Sequence, residues 1–157
     1  MAFQIISDSS CDLGVERAAK EGVKVIPFYV SFDQMVYQKE NEEVSVREFY
    51  QKMVDHKDVF PKTSMPSVQD FLDVFKTCAD EGKDILCLCI STKFSGSYNC
   101  AMTAKEMFLE EYPGAKIEVI DTMVNTVLQG NLVPEVCRMQ REGFGFEEIV
   151  KRVKEII

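Results

Sequence analysis

Six consecutive apolar residues, Ile85 to Ile90, run without a polar interruption and stop at Ser91-Thr92-Lys93-Phe94-Ser95-Gly96-Ser97. An apolar run that does not alternate predicts a strand covered on both faces, the pattern of a central parallel strand. Beyond the hydroxyl-rich loop, Tyr98, Ala101, Met102, Phe108, Leu109 and Tyr112 fall at helical spacing until Pro113-Gly114 stops them. The loop therefore sits where the first turn of a helix offers unpaired N–H groups and partial positive charge. Ser95 is read there either as an N-cap or, with Gly96 and Ser97, as part of a turn that holds an anion.

The same alternation of apolar runs and polar breaks recurs along the chain. Phe3 to Ser7 predicts a strand that breaks at the turn formers Asp8 to Asp12, and Val15, Ala18 and Ala19 then mark a short helix closed by Gly22. Val23 to Phe32 is rich in β-formers, but Pro27 cannot donate to a ladder, so this strand belongs at an edge or a bulge. Asp33 to Tyr37 extends it as a hairpin arm. Ser45 with Glu48, and Ser67 with Asp70, have the spacing of capping boxes. They open helices whose apolar faces are Val46, Phe49, Tyr50, Met53 and Val68, Phe71, Leu72, Phe75, Cys78, Ala79. Thr63 and Ser64 lie in a loop just ahead of the second of these.

Lys116 to Thr122 predicts a fourth strand, and a helix follows in which Gly130 and Pro134 force a late start or a kink. The final stripe, Phe146, Ile149, Val150, Val153, Ile156 and Ile157, runs to the last residue, which predicts an uncovered helix face and self-association through it. Four strands separated by helices give an α/β fold: one domain over residues 1–157, with a mainly parallel four-stranded sheet flanked by helices on both faces. The polar loops after strands one and three and the Thr63-Ser64 loop then gather along one sheet edge, where a ligand belongs.

Composition narrows the ligand. A length of 157 residues with 46% hydrophobic content supports a substantial core, and a net charge of -8 argues against a nucleic-acid footprint or electrostatic docking on anionic lipid. No apolar stretch approaches the roughly 20 residues of a bilayer span. No basic segment precedes a long apolar one at the amino terminus, so a cytoplasmic location is expected. The six cysteines are scattered without C-x-x-C pairs or histidine partners, and are read as structural thiols with no metal or other cofactor.

The candidate chemistry is equally sparse. Asp8 at a strand end suggests a phosphatase or phosphotransferase nucleophile, but the residue two positions on is Ser10 where such enzymes carry a second Asp. Lys93-Phe94-Ser95-Gly96-Ser97 lacks the first glycine of G-x-S-x-G, the single histidine His56 sits in a surface-like loop, and no phosphate-cradling glycine loop is present. A hydroxyl cluster without base or metal ligands suits holding a ligand rather than transforming it. A bare interaction module is the remaining alternative.

Four stretches carry a family resemblance. Asp8-Ser9-Ser10-Cys11-Asp12-Leu13 resembles the opening D-S-x-x-D-L of the DegV family, and Lys62-Thr63-Ser64-Met65-Pro66-Ser67 resembles its T-S-Q-P-S motif. Ser91 to Tyr98 resembles its S-S-x-x-S-G-[ST]-Y loop, and Ile120-Asp121-Thr122 with Gln129-Gly130 is similar to its later D-[ST] and Q-G positions. The resemblance implies a non-catalytic bacterial carrier that binds a long-chain fatty acid in a tunnel between two α/β domains, some members presenting the carboxylate to a fatty acid kinase. By motif, Thr63 and Ser95 would hold the carboxylate, with Ser64, Gly96 and Ser97 nearby. Met65 stands where the family usually has Gln, and Lys93 where a small residue is common. Members of the family run to about twice this length, so the chain corresponds to the amino-terminal half, without the second domain and the head-group histidine that domain supplies.

Overall fold

The computed structural model describes residues 3–157. Strand β1 (Phe3–Asp8) is buried along its whole length and lies between β2 (Lys24–Ile26) and β6 (Asp84–Cys89), with β7 (Ile117–Asp121) outside β6. All three pairings are parallel, with Ile6 opposite Cys87 and Cys87 opposite Val119. The expected four-stranded α/β architecture is therefore present.

Side chains alternate across this sheet, as the two-residue period requires. Ile5, Leu86, Leu88 and Ile120 pack with Ala18 of α1 (Val15–Glu21), with Val133 and Val136 of α5 (Thr126–Arg141), and with Ile149 and Val153 of α6 (Phe146–Ile156). Ile6, Ile85, Cys87 and Cys89 face Phe71 and Phe75 of α3 (Val68–Asp80) and Ala101, Ala104 and Phe108 of α4 (Ser97–Glu111). These are the two outer layers.

Three departures from the sequence reading have local causes. Pro27 divides the expected outer strand: β2 ends at Ile26, and β3 (Tyr29–Ser31) joins a second, antiparallel sheet with β4 (Gln38–Lys39) and β5 (Lys62–Ser64). The Asp33 carboxylate accepts the N–H groups of Met35 and Val36 at 2.8 Å each, so Asp33 to Tyr37 turns and the hairpin arm begins at Gln38 instead. Thr63 and Ser64 lie in a strand, opposite Val30 and Tyr29, and not in a loop.

Both capping boxes form, at Ser45 for α2 (Val46–Asp55) and at Ser67 for α3. Helix α5 starts late, at Thr126, and carries Pro134 inside it. The stripe on α6 is not uncovered. Ile149, Val150 and Val153 are buried against the sheet and the Phe146 ring meets Phe3 edge-on at 5.4 Å, leaving only Ile156 and Ile157 exposed. With its apolar face used inside the chain, α6 no longer supplies a reason for self-association.

Candidate functional site

From β1 the chain crosses to β2 on one side, then returns past β1 to β6 and β7 on the other. Strand order thus reverses at β1, and ligands of open parallel sheets bind at such a point, outside the carboxyl ends of the strands, here those of β1 and β6. Asp8 ends β1 there, and the loop from Ile90 to Ser97 leaves β6 there.

Asp8 is fully buried and its carboxylate is encircled by donors. Oδ2 accepts the Ile90 N–H at 2.9 Å and the Ser97 hydroxyl at 2.8 Å, while Oδ1 accepts Gln129 Nε2 at 2.9 Å and lies 2.6 Å from Ser10 Oγ. Ser10 Oγ also lies 2.6 Å from Gln129 Oε1, so its one proton serves one of two acceptors. Gln129 Nε2 also reaches Ser7 Oγ at 3.1 Å. Enclosed and saturated in this way, Asp8 presents no free oxygen to a phosphate ester, which removes the nucleophile expected of the enzyme alternative. The sequence singled out Asp8 but not this role, because Gln129 is 121 positions away and only the fold brings it near.

Helix α4 begins one residue later than the hydroxyl cluster suggests. Its N-cap is Gly96, and Ser95 Oγ accepts the Ser97 N–H at 3.1 Å. Ser95 is half-buried and Ser97 fully buried. The Ser95 oxygen is thus used as an acceptor, which leaves its proton for something outside the loop. The loop is braced from β7: the Thr92 hydroxyl donates to Asp121 Oδ2 at 2.7 Å, the Ser91 N–H donates to Val124 O at 3.0 Å, and the Thr122 hydroxyl donates to Cys89 O at 2.8 Å.

Strand β5 reaches this loop through Met65. A Cβ placed on Gly96 would lie 2.8 Å from Met65 Sδ, so the thioether rests directly on the glycine at the helix entrance. Thr63 and Ser64 are exposed on the strand that delivers Met65. The small sheet containing β5 is fastened to α3 by Asp70, which takes the Tyr29 hydroxyl of β3 at 2.9 Å and the Lys39 ammonium of β4 at 3.2 Å besides capping its own helix at Ser67. Partial burial alone would raise the Asp70 pKa, but the Ser67, Tyr29 and Lys39 contacts outweigh it and hold the carboxyl below its usual value.

Exposed apolar side chains border the same edge: Phe94 beside Ser95, and Met123, Val127 and Leu128 after β7. Three clefts have other linings. One of about 270 Å³ sits between α1, β2 and Glu40, whose carboxyl burial pushes up, and none of the three is lined by Thr63 or Ser95. His56 is exposed after α2. Five of the six cysteines are buried and none is joined in a disulfide, Cys87 and Cys89 having sulfurs 3.8 Å apart. Among the described residues no cluster of three or more metal-binding side chains occurs, and no helix is long and apolar enough to cross a membrane.

The pattern that describes uncharacterised proteins of the DegV family matches residues 2–157. A DegV domain-containing protein of Clostridium acetobutylicum is 31% identical over 149 residues, covering 95% of this chain and 51% of its own. A stearic acid-binding protein from Eubacterium ventriosum has a structure that superposes with a TM-score of 0.92 at 43% identity, over 97% of this chain and 52% of that one. A fatty acid-binding DegV family protein from Thermus thermophilus superposes with a TM-score of 0.81 at 29% identity, over 99% and 53% respectively. The chain spans about half the length of the relatives it matches.

Proposed function

Because this chain belongs to the DegV family, we propose that it binds a long-chain fatty acid, with the carboxylate held by the hydroxyls of Thr63 and Ser95 and the tail laid across the apolar edge formed by Phe94, Met123, Val127 and Leu128. The observation that carries this reading is the seating of Met65 on Gly96, which couples the strand bearing Thr63 to the loop bearing Ser95, residues far apart in the sequence. A stearic acid-binding relative at 43% identity supports the choice of ligand. Ser64 and Gly96 border the same place, and Ser97 supports it from beneath with its hydroxyl turned to Asp8.

Magnitudes divide the work. Burying a sixteen-carbon chain at about 0.8 kcal/mol per CH₂ is worth on the order of 12 kcal/mol, whereas each hydrogen bond to a charged head is worth about 1.5 to 3 kcal/mol. The tail sets affinity and the hydroxyls set orientation. An exposed Thr63 and a half-buried Ser95 leave the head within reach of a second protein, consistent with a carrier that hands its carboxylate to a fatty acid kinase. The test is the pair Thr63→Ala with Ser95→Ala: lipid mass spectrometry should find less bound fatty acid while the melting temperature stays within a few degrees. Unchanged retention would overturn the head-group assignment.

A further inference from the structure

We infer that Asp8 is a positioning residue of the head-group site, acting through Ser97 on Ser95. The inference rests on the preceding reading of Ser95 and adds to it the device that aims the hydroxyl. Asp8 Oδ2 takes the Ser97 hydroxyl at 2.8 Å, the Ser97 N–H is given to Ser95 Oγ at 3.1 Å, and the same Oδ2 takes the Ile90 N–H at 2.9 Å. One buried carboxylate therefore pins both ends of the loop, where it leaves β6 and where it enters α4. Since the Ser97 N–H occupies one lone pair of Ser95, the Ser95 proton must point away from that N–H and stays available to an anion at the sheet edge.

The opposite oxygen anchors this arrangement to the rest of the molecule. Gln129 Nε2 donates to Asp8 Oδ1 at 2.9 Å from α5, and Ser10 Oγ lies 2.6 Å from the same oxygen. Gln129 is held at its depth because Gly130 lets α5 approach the backbone of Cys11, where a Cβ would come within 2.4 Å of the carbonyl oxygen. The Ile90 N–H and the Ser97 hydroxyl meet one oxygen of Asp8 and Gln129 Nε2 meets the other, so the NH2 of an amide in place of the carboxylate would face a donor whichever way it turned.

A double-mutant cycle read by binding separates positioning from simple support of the fold. The full chain is titrated with [1-¹³C]decanoate, a soluble fatty acid, and the carboxyl chemical shift reports saturation. Ser95→Ala should weaken binding, Asp8→Asn should weaken it about tenfold, in line with loss of one charge-assisted hydrogen bond, and Asp8→Asn should add less than about twofold once Ser95 is already Ala. Amide exchange at Ser97 should rise in Asp8→Asn. If Asp8→Asn does not fold, Ser97→Ala breaks the same link and carries the same expectations. Equal loss from Asp8→Asn, or from Ser97→Ala in its place, with and without Ser95 overturns the positioning role while leaving the head-group assignment standing. No loss from Ser95→Ala, or no saturable shift in the unaltered chain, overturns the head-group reading and the positioning role with it.

Discussion

Two glycines show how differently a single absent methyl group acts in this molecule. At Gly130 the obstacle to a Cβ is the Cys11 carbonyl oxygen at 2.4 Å, part of the backbone that follows β1. At Gly96 it is the end of the Met65 side chain, which can rotate away. Gly130→Ala is therefore expected to cost about 2 to 3 kcal/mol as an overpacked contact, visible as a lower denaturation midpoint. Gly96→Ala should leave stability within about 1 kcal/mol but displace Met65 and weaken fatty acid binding. At this scale the sequence was informative about residue type and silent about partners. Asp8, Ser95 and Gln129-Gly130 stand out in the sequence, yet that the Ser97 hydroxyl turns to Asp8 is visible only in the fold. No local pattern announces a hydrogen bond spanning 89 positions.

At the scale of elements, the small sheet β4-β3-β5 depends on Asp70. Its carboxylate joins Tyr29 of β3, Lys39 of β4 and the N-cap of α3. Because the folded-state pKa lies below the ordinary 3.8, this group contributes stability that is fully present above about pH 4 and is lost as pH falls through the depressed value. Unfolding measured by denaturant between pH 6 and pH 2.5 should show that loss, and Asp70→Asn should be less stable at pH 6 with a flatter profile. Constant stability down to pH 2.5 would count against the Asp70 anchor. Long elements with a full apolar stripe, α3, α4 and β6, were legible in the sequence. Strand β5 was not, since three polar residues, Lys62-Thr63-Ser64, carry no periodicity and become a strand only by pairing with β3. The α6 stripe was legible as apolar, but whether its cover came from this chain or another was not.

On the scale of the whole molecule, the proposed site is a ledge more than a pocket. Phe94 is 66% exposed and Leu128 63% exposed, at the edge where the tail is proposed to lie. A tail resting on one surface loses only part of its contact with water, so affinity falls short of the roughly 12 kcal/mol of full burial by several kcal/mol. Titrating stearate into this chain and into the Eubacterium ventriosum relative, of which this chain covers 52%, should show weaker binding here by at least about a hundredfold, or about 2.7 kcal/mol. Equal affinities would mean that this α/β unit encloses the tail alone. That the polar loops after β1 and β6 share one sheet edge was foreseeable from their placement, whereas the reversal of strand order at β1 required the topology itself.

The position of the acid's head group decides whether Thr63 and Ser95 hold it. A structure determined with stearate bound should place its carboxylate oxygens about 2.5 to 3.0 Å from Thr63 Oγ1 and Ser95 Oγ, with the Asp8–Ser97 hydrogen bond intact behind them. A carboxylate found away from both hydroxyls, for example in the cleft beside Glu40, would contradict that role.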